Sequence, residues 1–248
     1  MTTRLVAAIV VLCAVTPNDS WAYRPFESTD AAVAAKGELE LELGPVGFVA
    51  LPGQRFLVAP GAIINLGLLH NWELVLQGRH LILLDDRAGE PRLRLVDTGV
   101  FIKGVLREGS LQEGRGPSVA VEAGPLLPEV NRDRGVGVSG AAIVSQRFAP
   151  VTFHVNGAVA LSRAHHLDLF GGHIVEGPHR WPVRPVAEVL VERELTVATT
   201  VSGLVGAIWR LRDNLSFDLA GRMARVGNDN VYEVRAGLTW AVTLWRTP

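Results

Sequence analysis

The sequence predicts an all-β protein, a closed antiparallel up-and-down transmembrane β-barrel. Apolar and polar residues alternate along one segment after another, which places them on opposite faces of a strand. The polar faces carry charges of both signs, whereas the apolar faces are almost free of charge. Tryptophan residues lie mostly near the predicted strand ends, where membrane barrels have aromatic girdles. Lipid outside and water inside satisfy both faces of such strands.

Residues 1–22 predict a secretory signal peptide. Arg4 gives it a positive start, residues 5–15 form an apolar stretch, and the small residues Ser20 and Ala22 predict cleavage near Ala22. The apolar stretch is too short for a membrane-spanning helix, which needs about 20 residues. The only cysteine, Cys13, lies in this segment. The mature chain therefore has no thiol for a disulfide, for catalysis or for a metal.

The sequence of the mature chain predicts a single domain. Residues 23–36 are expected to form an N-terminal periplasmic arm, and residues 37–248 an outer-membrane barrel. The barrel begins with Glu38, Glu40 and Glu42 on one face of the first strand and leucines on the other.

The remaining strands follow from the same alternation, and turn residues separate them. In the second strand the pattern places Phe56 and Val58 outward, towards lipid. In the last strand Tyr232 faces lipid and Glu233 faces the lumen. The later strands are expected at about residues 55–69, 72–82, 93–107, 117–126, 136–147, 151–162, 181–193, 197–211, 214–225 and 231–245.

The number of strands is decided by parity. The segments with clear alternation give an odd number, but both ends of a bacterial barrel chain lie in the periplasm, which requires an even number. A weakly alternating strand at about residues 166–176 supplies the missing one. We therefore expect twelve strands, with ten or fourteen left open.

A soluble periplasmic β-sandwich is the structural alternative, because its strands also alternate. Mixed charge on nearly every polar face favours a water-facing lumen, and hence the barrel. The net charge of −1 gives no indication of a nucleic-acid partner. Membrane lipid and the outer-membrane assembly machinery are the expected partners, together with a small-molecule solute.

Several short motifs resemble a known family, the outer-membrane barrels of the transporter type linked to the MetA pathway of phenol degradation. The motifs are Arg24-Pro25-Phe26 with Asp30-Ala31, residues 37–42, Asp97-Thr98 with Lys103, Pro117-Ser118, and residues 212–215 with Asp218. The resemblance implies a barrel, an outer-membrane location and passage of hydrophobic or aromatic solutes. The chain departs from many such barrels at its end, where Arg246-Thr247-Pro248 follows Trp245.

Charged and polar residues on the inner faces are the candidate functional residues. They either line a small pore and select solutes or fill the lumen as a network of ion pairs, and the sequence does not separate a passive channel from a structural barrel with a plugged lumen. The predicted lumen-lining residues are Glu73, Lys103, Glu122, His154, Asn156, Arg184, Glu188, Asp218, Arg222, Glu233 and Arg235.

Three other chemistries are disfavoured, and we expect no enzyme activity, no cofactor and no metal. The histidines at positions 165, 166, 173 and 179 are interpreted as exposed loop residues. Gly135, Gly137 and Gly140 have the spacing of the dinucleotide-binding motif G-x-G-x-x-G. That motif binds a dinucleotide only when a helix follows the glycines, whereas this sequence predicts a strand there. A membrane-lipid hydrolase is the least favoured function, since Ser162 lies too far from His154 along one strand.

Overall fold

Twelve antiparallel strands form a closed barrel in the computed structural model, which describes residues 24–245. The prediction of twelve strands is confirmed, including the weakly alternating eighth. The predicted signal peptide lies outside the described residues. The strands are β1 (Glu38–Leu51), β2 (Gln54–Leu69), β3 (Trp72–Leu83), β4 (Leu93–Arg107), β5 (Ser118–Leu126), β6 (Gly137–Arg147), β7 (Thr152–Leu161), β8 (Leu167–Glu176), β9 (Val183–Glu194), β10 (Ala198–Arg212), β11 (Leu215–Val226) and β12 (Asp229–Thr243).

Each strand pairs with its neighbours in sequence, and β1 pairs with β12 to close the barrel. Closure leaves no unpaired sheet edge. Strand β1 begins and β12 ends at the same rim, which we call the terminal rim. The connections 70–71, 108–117, 148–151, 177–182 and 213–214 also lie there, and the other connections form the opposite rim.

The described residues contain little helix. A single 3₁₀ turn, Ser110–Gln112, lies in the β4–β5 connection. Within residues 24–245, helices of the length and apolarity required to cross a membrane are absent.

The outer surface of the barrel is a broad apolar band. Val155, Val189, Val205 and Val234 are each more than half exposed on neighbouring or nearby strands, and the residues that follow them along each strand face inward. Such exposure would be costly in water over so large a surface. It is the arrangement that lipid contact stabilises.

The outward assignment of Phe56 and Val58 is wrong. Both side chains are buried inside the barrel, where they pack with Leu81, Leu83 and Val96. The register between β2 and β3 shifts between Val58 and Gly61. This shift contains Pro60, which has no N–H for the strand ladder and is therefore tolerated at a bulge. The extra residue reverses the phase, so the first part of β2 faces opposite to the simple alternation.

Candidate functional site: the barrel lumen

Residues 24–36 lie inside the barrel. Residues 23–36 are predicted to form an N-terminal periplasmic arm, whereas the described part, residues 24–36, lies along the inner wall of the barrel. We call residues 24–36 the lumenal segment. Arg24 lies 3.5 Å from Asp218 of β11, and Ala34 donates a hydrogen bond to Glu73 of β3. Between these points the segment passes β9, β8, β7 and β6 in turn.

Wall side chains accept hydrogen bonds from the backbone of the lumenal segment. The carboxylate of Glu188 accepts from the amides of Glu27 and Ser28, at 3.0 and 2.7 Å. The side-chain amide of Asn156 accepts from the Thr29 N–H at 2.9 Å and donates to the Thr29 carbonyl at 2.7 Å. These bonds hold an irregular backbone that has no secondary structure to satisfy it.

The same arrangement continues beyond Thr29. The Ser145 hydroxyl accepts from the Ala31 amide at 2.9 Å, and Glu73 accepts from the Ala34 amide at 2.6 Å. Gln112, in the 3₁₀ turn of the β4–β5 connection, donates to the Ala31 carbonyl at 2.8 Å. This connection therefore folds against the segment at the terminal rim.

Ion pairs add to the backbone contacts. Lys103 lies 3.6 Å from Asp30 of the segment and 3.5 Å from Glu73 of the wall. Arg235 donates to the Pro25 carbonyl at 2.9 Å and pairs with Glu27. Each buried charge of these pairs thus has an opposite charge beside it, which offsets part of its desolvation cost.

Inward-facing glycines make room for the segment. A Cβ atom at Gly67 would overlap the carbonyl oxygens of Ala34 and Ala35, and one at Gly172 would overlap the Ser28 hydroxyl. Gly237 similarly leaves space for the Arg24 guanidinium. The wall and the segment are therefore complementary in shape as well as in hydrogen bonding.

Two small apolar clusters also hold the lumenal segment against the barrel wall. Ala31 is fully buried with Ala120 and Ile143 of the wall, and Leu111 of the β4–β5 connection packs against them. Phe26 packs against Val186 of β9 and Ile208 of β10.

A serine, a histidine and a carboxylate from three neighbouring strands lie in a row beneath Ala31. The Ser145 hydroxyl lies 2.8 Å from His154 Nδ1, and His154 Nε2 lies 3.2 Å from Glu176. This is the connectivity of a hydrolase relay. However, Ser145 has no exposed surface, and its oxygen already accepts from Ala31, so the row fixes the segment and leaves no room for a substrate.

The predicted lumen-lining residues all lie at least partly buried, and some pair with one another while others contact the lumenal segment. Glu122 and Arg222 are partly buried and the other nine are buried. His154 and Arg184 meet at Glu176, and Arg222 lies 3.4 Å from Glu233. Glu122 lies opposite Lys103 in the β4–β5 ladder. The predicted residues that contact the lumenal segment directly are Glu73, Lys103, Asn156, Glu188, Asp218 and Arg235.

Ser145 and Glu176 were missed as functional candidates. Both face inward, but their importance comes from His154 and the lumenal segment, which only the register brings to them. Glu38, Glu40 and Glu42 were recognised as one polar face and not as site residues. Their strict alternation with leucine was the signal that could have found them.

A cavity of about 530 Å³ lies between the lumenal segment and the inner wall. Its lining combines carboxylates with aromatic side chains, among them Phe26, Phe101 and Phe170. Ser162 and Arg163, from the β7–β8 connection of the opposite rim, also line it. The cavity therefore extends from the segment towards the opposite rim.

The histidine group does not converge on one point. His166 lies 3.3 Å from Glu194, and His173 stacks on Phe153 with ring centroids 5.7 Å apart. Burial and the nearby charge of Arg147 lower the pKa of His179 in the β8–β9 connection. Within residues 24–245, three or more His, Cys, Asp or Glu side chains placed to hold a metal ion are not found together. The glycine pattern of residues 135–140 runs into strand β6.

Two solved outer-membrane channels share this architecture. The KdgM porin has a TM-score of 0.54 and 9% identity, over 81% of this chain and 98% of the porin. An outer membrane channel from Pseudomonas putida F1 has a TM-score of 0.57 and 9% identity, over 85% and 97% of the two chains. This chain therefore has the same barrel fold as these two channels. At this identity the likeness shows the fold alone, and the MetA-pathway type is not confirmed.

Sequence comparison gives no closer relative. No family model matches the chain, and no curated protein is significantly similar to it in sequence.

Proposed function

We propose that the protein is an outer-membrane channel that passes small solutes through a lumen narrowed by its own lumenal segment. The observation that carries this proposal is the cavity of about 530 Å³ beside the segment. A space of this size accommodates a small molecule. A twelve-stranded barrel is wider than one filled by side chains alone and narrower than a large porin.

The surroundings of the cavity support passage of solutes. The outer surface is apolar and the inner wall is polar, as a membrane channel requires. The proposed route to the outer membrane is secretion, cleavage near Ala22 and insertion by the assembly machinery. Phe101 and Phe170 line the cavity beside polar groups. Because aromatic side chains contact apolar parts of a solute well, we include hydrophobic and aromatic solutes in the proposal.

A structural barrel with a plugged lumen is the second candidate. It is favoured by the number of bonds between wall and segment, and by Leu111 of the β4–β5 connection, which packs against the cluster that contains Ala31. In that case the segment would be a permanent filling and solutes would not pass.

Conductance in planar lipid bilayers separates the two candidates. We expect the purified, heat-modifiable protein to carry ionic current, and the double variant Asn156→Ala/Glu188→Ala to carry more, because it loosens the segment. Asn228→Ala, in the exposed β11–β12 turn, is the matched control and should behave as the natural chain does. Absence of current from both the natural chain and the loosened variant would leave the plugged structural barrel.

A further inference from the structure

The lumen carries an excess of negative charge around the cavity. Among the described residues that line it, nine are acidic and four are basic. The acidic side chains come from the segment and from several strands, so the excess is distributed around the cavity. A lumen with charge of one sign and low-dielectric walls concentrates ions of the opposite sign.

Three of the four basic residues are engaged by carboxylates that do not line the cavity. Arg24 lies 3.5 Å from Asp218, and Arg163 lies 3.4 Å from Glu129. Arg222 lies 3.4 Å from Glu233. Among the acids of the lining, Glu27 pairs with Arg235, which does not line the cavity. The positive charge of the three arginines is therefore offset in part by carboxylates outside the lining.

Three of the carboxylates form a row on β1. Glu38, Glu40 and Glu42 all face the lumen and line the cavity, and alternate residues of a strand lie about 6.8 Å apart. We call these three residues the acidic row. The row therefore extends over roughly 14 Å of the inner wall.

Glu42 supplies an independent indication of a ligand. It is only 1% exposed and lies at the inner end of the row. Its Oε1 accepts from Asn65 at 2.9 Å, while its Oε2 has no hydrogen-bond partner among the described residues. A buried carboxylate oxygen without a donor is costly unless a cation or a water satisfies it.

We propose that the acidic row makes the lumen selective for cations, so that small monovalent cations and compact organic amines are favoured over anions. This inference rests on the proposed channel function and names its substrate class. The described residues contain no cluster placed to ligate a metal ion, so the row acts through its field on a mobile cation. Rings of Asp and Glu side chains give cation channels their selectivity in the same way.

The test is the reversal potential of the full-length protein in a planar bilayer under a KCl gradient. We expect K⁺ to be at least about fivefold more permeant than Cl⁻, because acidic side chains that line a pore favour cations. The triple variant Glu38→Gln/Glu40→Gln/Glu42→Gln keeps the side-chain shape and should lose most of this ratio. Asp213→Asn, in an exposed turn, makes the same chemical change outside the cavity and should keep the ratio. Heat-modifiable migration on gels shows that each variant is folded.

The outcomes separate this inference from the channel itself. Current without preference for K⁺, or a preference that survives in the triple variant, would overturn cation selection by the row and leave the channel intact. Absence of current from the natural chain and from the loosened Asn156→Ala/Glu188→Ala variant would remove the channel function and the inference with it. If the triple variant fails to fold, the single variant Glu40→Gln is expected to lower the ratio at least about twofold, and an unchanged ratio would count against the row.

Discussion

Asn156 shows how one inward side chain can hold an irregular backbone. Its two hydrogen bonds to Thr29 satisfy both polar groups of one peptide residue. We predict that Asn156→Ala weakens the docking of the lumenal segment by about 1–3 kcal/mol, because the partly buried Thr29 groups lose their partners. Hydrogen exchange at the amides of residues 28–31 should become about tenfold faster. Asn228→Ala should leave it unchanged, and equal protection in both variants would contradict the contact.

Labelling of Ser145 tests whether the row that it forms with His154 and Glu176 is a hydrolase site. Because Ser145 is fully buried and accepts a hydrogen bond from Ala31, we predict that a fluorophosphonate probe does not label the folded protein. Ser145→Ala should instead increase hydrogen exchange at Ala31, since that amide loses its acceptor. Labelling that disappears in Ser145→Ala would show that the relay is a hydrolase site.

The inner and outer faces were predictable at most single positions, but the partners were not. Glu233 and Arg235 face inward as the alternation of the last strand predicts. Ser145 and His154 are nine residues apart and become neighbours only through the β6–β7 register. Alternation gives the face of a side chain, whereas pairing depends on register and on whatever else enters the lumen.

Strand β2 shows the limit of alternation at the scale of an element. Pro60 was visible in the sequence, but whether it ends a strand, bends it or sits in a bulge depends on pairing with β3. The bulge reverses the phase of Phe56 and Val58, which pack inside with Leu81. A single extra residue is enough for this, because the side-chain period of a strand is two.

The glycines of the inner wall give a prediction for β2. A side chain at Gly67 would overlap the backbone of Ala34 and Ala35. We therefore expect Gly67→Val to displace the end of the lumenal segment and to raise channel current in bilayers. Gly157→Val is the matched control, because a Cβ atom at Gly157 meets no atom within 4 Å. Equal current from the two variants would contradict the tight contact at Gly67.

The apolar band gives a prediction for β7. Val155 is 52% exposed on the outer face, next to the buried Asn156. Val155→Arg should reduce the yield of folded, heat-modifiable barrel, since an arginine facing mid-membrane lipid costs ~2–4 kcal/mol. Val155→Leu should assemble normally. Normal assembly of the arginine variant would place this face away from lipid.

For the whole molecule, the closed barrel and its twelve strands could be predicted, but the contents of the lumen could not. Parity required a twelfth strand where alternation was poor, and β8 is present there. The lumenal segment gave no such signal, because the barrel binds it largely through its backbone amides. Backbone groups are the same in every residue, so no sequence pattern marks a segment that is held in this way.

The most direct test of this account is a disulfide between the segment and the wall, since residues 24–245 contain no cysteine of their own. A Cβ atom at Gly172 would overlap the Ser28 hydroxyl, so in Ser28→Cys/Gly172→Cys the two Cβ atoms lie close to the roughly 3.5–4.5 Å spacing that a disulfide needs. We predict that the folded protein forms this bond on mild oxidation, and that Ser28→Cys/Gly157→Cys does not. Mass spectrometry of unreduced peptides measures it. Free thiols at positions 28 and 172 in a folded, oxidised sample would show that the segment lies outside the lumen.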